Sequence, residues 1–218
     1  FNIENDQNTI MEANKILEHR FYLLGHNYFI IQFQEKPKTT YESINWHFDP
    51  STGKDFPQNI WYRLIRKKIP VGADLKYPWE LSRFNHLILL GRAYSESKDE
   101  KYALEFVNQI LDWIQNNPVR YGINWANTME VSIRVANWGI GFLFFQDSKH
   151  ISDEFLLKFF RSCQQHGSHI FLNLENLQPK TSNHYIGNIF GLFILSTIFP
   201  FFKQSEKWEN FSRNQLEL

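Results

Sequence analysis

Four prolines divide this chain. Pro78, Pro118, Pro179 and Pro200 fall between segments whose apolar residues recur with a helical period. Proline lacks an N–H and clashes with the preceding turn, so it belongs between helices rather than inside them. The spacing predicts helices near residues 79–95, 99–116, 125–146, 152–173 and 184–199, with a last one beginning near residue 204. Apolar or amphipathic helices joined by short turns are expected to pack as antiparallel pairs, in a bundle, an α-solenoid or an α/α toroid. Ahead of them, Thr9 to Arg20 reads as a short helix capped by Asn8. From Phe21 to Lys54 the period breaks into a long aromatic-bearing loop with an extended piece at Tyr28–Gln34. The division expected is an N-terminal helix and loop segment over residues 1–78 and a toroid portion over 79–218, within one domain that ends inside its fold.

The charge balance is uninformative about partners. Its 23 basic and 23 acidic residues cancel, so no net field draws nucleic acid or an anionic membrane, and a polyanion would need a local basic site. No apolar run is long enough to span a bilayer. The lone Cys163 excludes an internal disulfide and a cysteine-based zinc site. Cys163, His166 and His169 share a helix at three-residue spacing but lack a carboxylate at matching spacing, so neither metal nor cofactor is expected. The chain opens on Phe1 and shows no leader, which is compatible with a leader or upstream segment outside it.

Three constellations carry chemistry. In the first, Trp79, Arg83 and His86 fall on one helical stripe, placing a ring, a fixed cation and an imidazole on one face, beside an apolar stripe of Leu81, Phe84, Ile88 and Gly91. Arginine grips carboxylate or sulfate bidentately and tryptophan stacks on sugar rings. The structural alternative is a Glu80–Arg83 surface pair with Trp79 as a packing anchor. The second runs through Asn124 and Trp125 to Asn127, Glu130, Arg134, Asn137 and Trp138, beside an expected core stripe of Met129, Ile133, Ala136, Ile140 and Leu143. On an inner helix these polar groups must be paired or face a cleft; the structural alternative is a Glu130–Arg134 pair at i,i+4.

The third is Pro179-Lys180-Thr181-Ser182-Asn183-His184-Tyr185, ahead of a helix apolar enough to be expected fully buried. Ser182 or Asn183 serves as the N-cap. The remaining Asn-His pair stands at a helix N-terminus, where free amides and the helix dipole favour an anion. Gly187 and Gly191, one turn apart, permit close helix contact.

Asn45-Trp46-His47 with Asp49-Pro50, Asp74-Leu75-Lys76, Trp79-Glu80-Leu81-Ser82-Arg83, Gly122-Ile123-Asn124-Trp125 and Ser182-Asn183-His184 occur in an order and spacing that resemble the N-terminal region of heparinase II/III-like proteins over roughly residues 10–200. The resemblance implies an incomplete α/α toroid, followed in full-length members by a β-sandwich. It also implies an exported bacterial polysaccharide lyase that acts on uronic-acid polymers by β-elimination. In such a lyase Asn183, or else His184, neutralises the uronate carboxylate, while a tyrosine and a further histidine come from beyond Leu218. Trp79, Arg83, His86, Asn124, Trp125, Glu130, Arg134 and Trp138 become candidate substrate contacts. Where many members carry Glu shortly after the Asn-His pair, this chain has Asn188. A non-catalytic carbohydrate-binding or polysaccharide-assembly module is the alternative reading.

Overall fold

A computed structural model describes residues 3–25, 27–31, 41–176 and 182–216. Eight α-helices follow one another among these residues: α1 Ile3–Leu17, α2 Lys76–Ser82, α3 Leu87–Ser97, α4 Glu100–Asn116, α5 Thr128–Phe145, α6 Asp153–Leu172, α7 Asn183–Ile198 and α8 Ser205–Leu216. Two small antiparallel hairpins, β1 Arg20–Leu23 with β2 Asn27–Ile30 and β3 Phe48–Asp49 with β4 Lys54–Asp55, lie between α1 and α2. The expected extended piece is thus one arm of a hairpin, and its residues 32–34 lie outside the described residues, as do Pro179, Lys180 and Thr181.

Packing follows chain order with a skip. α1 rests on α3, α3 on α5 and α5 on α7, while α4 rests on α6 in a second row and α8 covers α7. The two rows are joined by the sequence neighbours α3 with α4, α5 with α6 and α6 with α7, the arrangement of an α/α toroid built from helix pairs. Capping side chains start four of these helices where the sequence changes from polar to apolar. Asp99 caps α4, Asn127 caps α5, Ser152 caps α6 and Ser182 caps α7, each accepting a backbone N–H of the first turn.

The core is continuous and aromatic. Trp46, Trp113, Trp138, Phe84, Phe106 and Phe159 are all fully buried within it. Close approach depends on missing side chains at two glycines. A methyl on Gly191 would lie 2.9 Å from the Cα of Ser132 in α5, and one on Gly167 would meet the Trp208 ring at 2.4 Å. Because backbone cannot rotate out of the way as a side chain can, Gly191→Ala is expected to destabilise the protein by about 1–3 kcal/mol. Chemical denaturation should register this as a lower midpoint with an unchanged slope.

Four expectations need correction. α1 begins at Ile3, so Asn8 is interior to it rather than its cap. The single helix expected over 79–95 is two helices: Phe84 takes a left-handed backbone (φ 60°) and ends α2, and α3 starts at Leu87. An aromatic residue holds that conformation only when its surroundings demand it; here the Phe84 ring stacks on Trp46 at 4.9 Å and meets Trp138 edge-on at 5.5 Å. Pro78 sits in the first turn of α2, where its missing N–H has no helical partner to lose. Finally, α7 is not buried all round, since Ile186 and Phe190 remain 55% and 48% exposed.

Candidate functional site

α5 reverses the expected order of its two stripes. Of the expected core stripe Ala136 is buried, but Met129, Ile133 and Ile140 are half-buried and Leu143 is exposed, whereas Glu130, Arg134 and Trp138 lie in the interior. A charge in the interior must be matched, because leaving it uncompensated costs several kcal/mol. Glu130 is matched by Arg83, not by Arg134: Arg83 Nε donates to Glu130 Oε2 at 2.6 Å and Nη2 donates to Oε1 at 2.9 Å. The third edge of the guanidinium, Nη1, donates to Glu80 Oε2 at 2.7 Å. The bond to Glu130 raises the Arg83 pKa further above its ordinary value. The Glu80–Arg83 pair left open as a structural alternative thus forms, the Glu130–Arg134 pair does not, and Arg83 is engaged by two protein carboxylates.

Arg134 looks the other way. Its Nε donates to His166 Nε2 at 2.9 Å, Nη2 donates to the Asn124 carbonyl at 3.0 Å, and its guanidinium lies 4.1 Å from the centre of the Trp113 ring. Burial lowers its pKa to about 9, against the opposing pull of the Glu130 charge. His166 accepts this bond because its Nδ1–H is committed to the Ser162 carbonyl at 2.7 Å. Burial, and next the charge of Arg134, hold its pKa well below the ordinary histidine value.

The candidate contacts therefore divide. Trp125 and Trp138 are 1% and 0% exposed and Arg134 is fully buried, so in this conformation they present neither a ring face nor a cation to a ligand. Asn124, also fully buried, donates to the Trp46 carbonyl and the Asn117 side-chain oxygen, both at 2.9 Å. Trp79 is half-buried and donates from Nε1 to the Ile123 carbonyl at 2.9 Å. His86 does not share a face with Arg83, because the break at Phe84 turns it to Gln109 Oε1 at 2.7 Å and to the rings of Phe21 and Phe84.

Burial pushes the His86 pKa down to about 4, and that of His47 likewise. Both imidazoles are consequently neutral at pH 7. The unfolded chain, with ordinary values near 6.5, binds more protons between those limits, so stability should fall as pH drops from about 6.5 to about 4. Side-chain NMR of these two histidines should show no titration between pH 5.5 and 8; a midpoint near 6.5 would contradict their burial as neutral groups.

Asn183 and His184 stand apart from this interior. Ser182 Oγ accepts the Tyr185 N–H at 3.2 Å and is the cap of α7, which leaves Asn183 free of capping duty at the first helical position, and exposed. His184 Nδ1 pairs with Glu175 Oε1 at 3.1 Å. The other oxygen of Glu175 accepts the Met129 N–H, in the first turn of α5, at 2.9 Å. Asn188 braces the same carboxylate: its Oδ1 accepts the Glu175 N–H at 2.8 Å and its Nδ2 donates to Oε2 at 3.3 Å. The carboxylate near the Asn-His pair is therefore supplied by Glu175, in the connection after α6. No periodic pattern marks that position, which is why sequence reasoning missed it.

One rim carries both groups. The first turn of α5 joins them, since Met129 holds Glu175 and the next residue, Glu130, holds Arg83. The other motif segments are stitched behind it. The Asp74 N–H donates to Asp49 Oδ2 at 2.8 Å, and Trp46 Nε1 donates to Asp112 at 2.7 Å. The rim offers an exposed amide at a helix N-terminus, an imidazole oriented by a carboxylate, and a bidentate arginine–glutamate pair. An anion placed at Asn183 would meet a hydrogen-bond donor and the positive end of the α7 dipole. Among the described residues no group of three or more metal-ligating side chains converges, and no helix is long and apolar enough to cross a membrane.

Comparison with known proteins places the chain in a family. The heparin-sulfate lyase of Bacteroides stercoris is 29% identical over 176 residues, covering 72% of this chain and 24% of that protein. The heparin-sulfate lyase of Pedobacter heparinus is 29% identical over 162 residues, covering 72% and 22%. The chain thus spans about a quarter of the length of these curated relatives. The crystal structure of heparan sulfate lyase HepC from Pedobacter heparinus superposes with a TM-score of 0.70 at 26% identity, covering 94% of this chain and 28% of that one. The heparinase III BT4657 gene product shares the fold, with a TM-score of 0.69 at 24% identity. The family model described as heparinase II/III N-terminus matches residues 1–218, and the chain belongs to that family.

Proposed function

We propose that this chain is the toroid part of a polysaccharide lyase that cleaves a uronic-acid-containing polymer by β-elimination, with Asn183 as the group that neutralises the uronate carboxylate. In β-elimination the proton beside that carboxylate, at C5, is removed and the oxygen at C4 departs. Charge builds on the carboxylate as the C5 proton leaves, so a fixed donor there stabilises the transition state more than the ground state. The observation that carries the reading is the division of labour at the start of α7. Ser182 does the capping, Glu175 orients His184, and Asn183 is left exposed, its amide without a partner among the described residues.

Relatives named heparin-sulfate lyases support a sulfated uronate polymer as the substrate class. The full-length protein incubated with a panel of uronic-acid polysaccharides, sulfated and unsulfated, is expected to generate the ultraviolet absorbance of an unsaturated uronate product. Silence across the whole panel would remove the lyase reading.

The second reading, a non-catalytic carbohydrate-binding or assembly module, draws on a specific observation. Arg83 and Arg134, the cations nominated for substrate carboxylates, are engaged within the protein. Glycan binding that survives Asn183→Ala without any turnover would favour it.

A further inference from the structure

A strap from Ile60 to Lys68 carries chemistry that the rim does not use. Its backbone is pinned along one edge: the Gly122 N–H donates to the Ile60 carbonyl at 2.8 Å and the Tyr62 N–H to the Arg120 carbonyl at 2.9 Å. This makes an isolated antiparallel bridge between Trp61 and Tyr121. Residues directly opposite in such a bridge put their side chains on one side of it, and the two rings meet edge to face with centroids 5.6 Å apart. They remain 37% and 41% exposed. Five of the other tryptophans, Trp46, Trp113, Trp125, Trp138 and Trp208, are no more than 1% exposed. Trp61 also packs on the Tyr62 ring at 4.9 Å, so the pair is held in place from one side while it presents ring surface to solvent, as a platform for a sugar ring would.

Four cations follow within six positions: Arg63, Arg66, Lys67 and Lys68, all exposed, with no acidic residue between Asp55 and Asp74. Ile65, fully buried against Phe56 and Ile123, anchors the turn from which Arg66, Lys67 and Lys68 project. Among the described residues Arg66, Lys67, Lys68 and Arg120 take part in no ion pair. Arg63 ties the strap to the rim. It donates from Nε to the Tyr62 hydroxyl at 2.8 Å and from Nη2 to Asn173 Oδ1 at 3.2 Å, while the Asn173 carbonyl accepts from Thr128, the first residue of α5, at 2.8 Å. Asn173 is two residues before Glu175.

We propose that this strap is a second binding subsite, which takes a stretch of anionic glycan continuing out of the Asn183–His184 centre. The Trp61–Tyr121 pair stacks on a sugar ring, and Arg66, Lys67 and Lys68 meet its sulfate or carboxylate groups. The subsite rests on the reading of that centre as one for an acidic polysaccharide. A chain with no net charge has no global field to gather a polyanion, so a local run of unpaired cations beside the centre is what a long acidic polymer requires. Arginine and lysine also differ in use here: the arginines can grip bidentately, whereas the lysines act as mobile point charges suited to an irregular sulfation pattern.

The test titrates the protein with long and short fractions of dextran sulfate and polygalacturonate, with neutral dextran and a DNA duplex as controls. The variants are a triple Arg66→Ala, Lys67→Ala, Lys68→Ala substitution and a single Trp61→Ala. The three basic side chains are exposed and the ring is partly so, and unchanged thermal melting verifies that each variant folds. Loss of the three cations is expected to weaken binding of long anionic glycans about tenfold or more and to flatten its salt dependence, while short fractions that fill only the centre bind as before. Trp61→Ala should weaken long-chain binding even at high salt, where the cations are screened. Unchanged long-chain affinity in both variants would overturn the subsite. Equal affinity for the DNA duplex would overturn it as a glycan site. Asn183→Ala in the same titration separates the two claims: if it alters neither binding nor turnover while the strap variants lose affinity, the centre's reading fails and the strap stands.

Discussion

Asn183→Ala is expected to lower kcat/KM on a uronic-acid polymer by about 100- to 1,000-fold, the effect of deleting one donor from a preorganised anion site. Most of that loss should fall on kcat, because the carboxylate gains charge only as the C5 proton leaves. Melting temperature should barely move, since Asn183 is exposed and Ser182 already supplies the cap of α7. Ser182→Ala provides the contrast. It should cost about 1 kcal/mol of stability through loss of the cap, with a smaller effect on turnover. A rise in KM with kcat unchanged for Asn183→Ala would instead mark Asn183 as a contributor to ground-state binding. His184→Ala should fall between the two, since His184 is held by Glu175 at 3.1 Å and is half-exposed.

The second large effect concerns stability. Arg83→Met strips Glu130 of both hydrogen bonds that its carboxylate receives from the guanidinium, and Glu130 is 2% exposed. Breaking a buried pair by removing one partner costs about 3–5 kcal/mol, and the lower end applies because the Arg83 side chain remains 27% exposed. Removing both charges, as Arg83→Met with Glu130→Met, should restore much of the loss, because two apolar side chains leave no uncompensated charge. Denaturant melts of the two singles and the double give the coupling energy. Should Arg83→Met leave stability intact and reduce turnover, the arginine would be a substrate clamp whose pairing with Glu130 yields to the ligand.

The parts of the fold legible in the sequence are those governed by local rules. α4, α6 and α7 each begin and end within a residue or so of the expected bounds, because a capping side chain and an apolar period report on the same few residues. The Ser182-Asn183-His184 cap was legible for the same reason, and so was the toroid, through motifs whose order resembles a known family. What was not legible depends on partners distant in the chain. Nothing near Phe84 signals a left-handed backbone; stacking on Trp46, 38 positions earlier, demands it. Glu130 and Arg134 have the spacing of an intrahelical pair, yet Glu130 turns to Arg83 and Arg134 to His166. Interior bonds of that kind outweigh the few tenths of a kcal/mol that an i,i+4 pair supplies. The strap escaped notice because its basic run looks like solvated loop until the Trp61–Tyr121 bridge fixes its place beside the rim.

The chemistry of the rim follows from that distribution of charge. Every interior cation is already engaged, Arg83 by carboxylates and Arg134 by an imidazole, a carbonyl and an aromatic face. Under the proposed function, neutralisation of a substrate carboxylate falls to a neutral donor at the start of α7, assisted by the helix dipole. A structure of the protein bound to an uncleaved uronate oligosaccharide tests this most directly. The account predicts a uronate carboxylate within hydrogen-bond distance of Asn183 Nδ2. A carboxylate held instead by Arg83, released from Glu130, with Asn183 left in solvent, would contradict it.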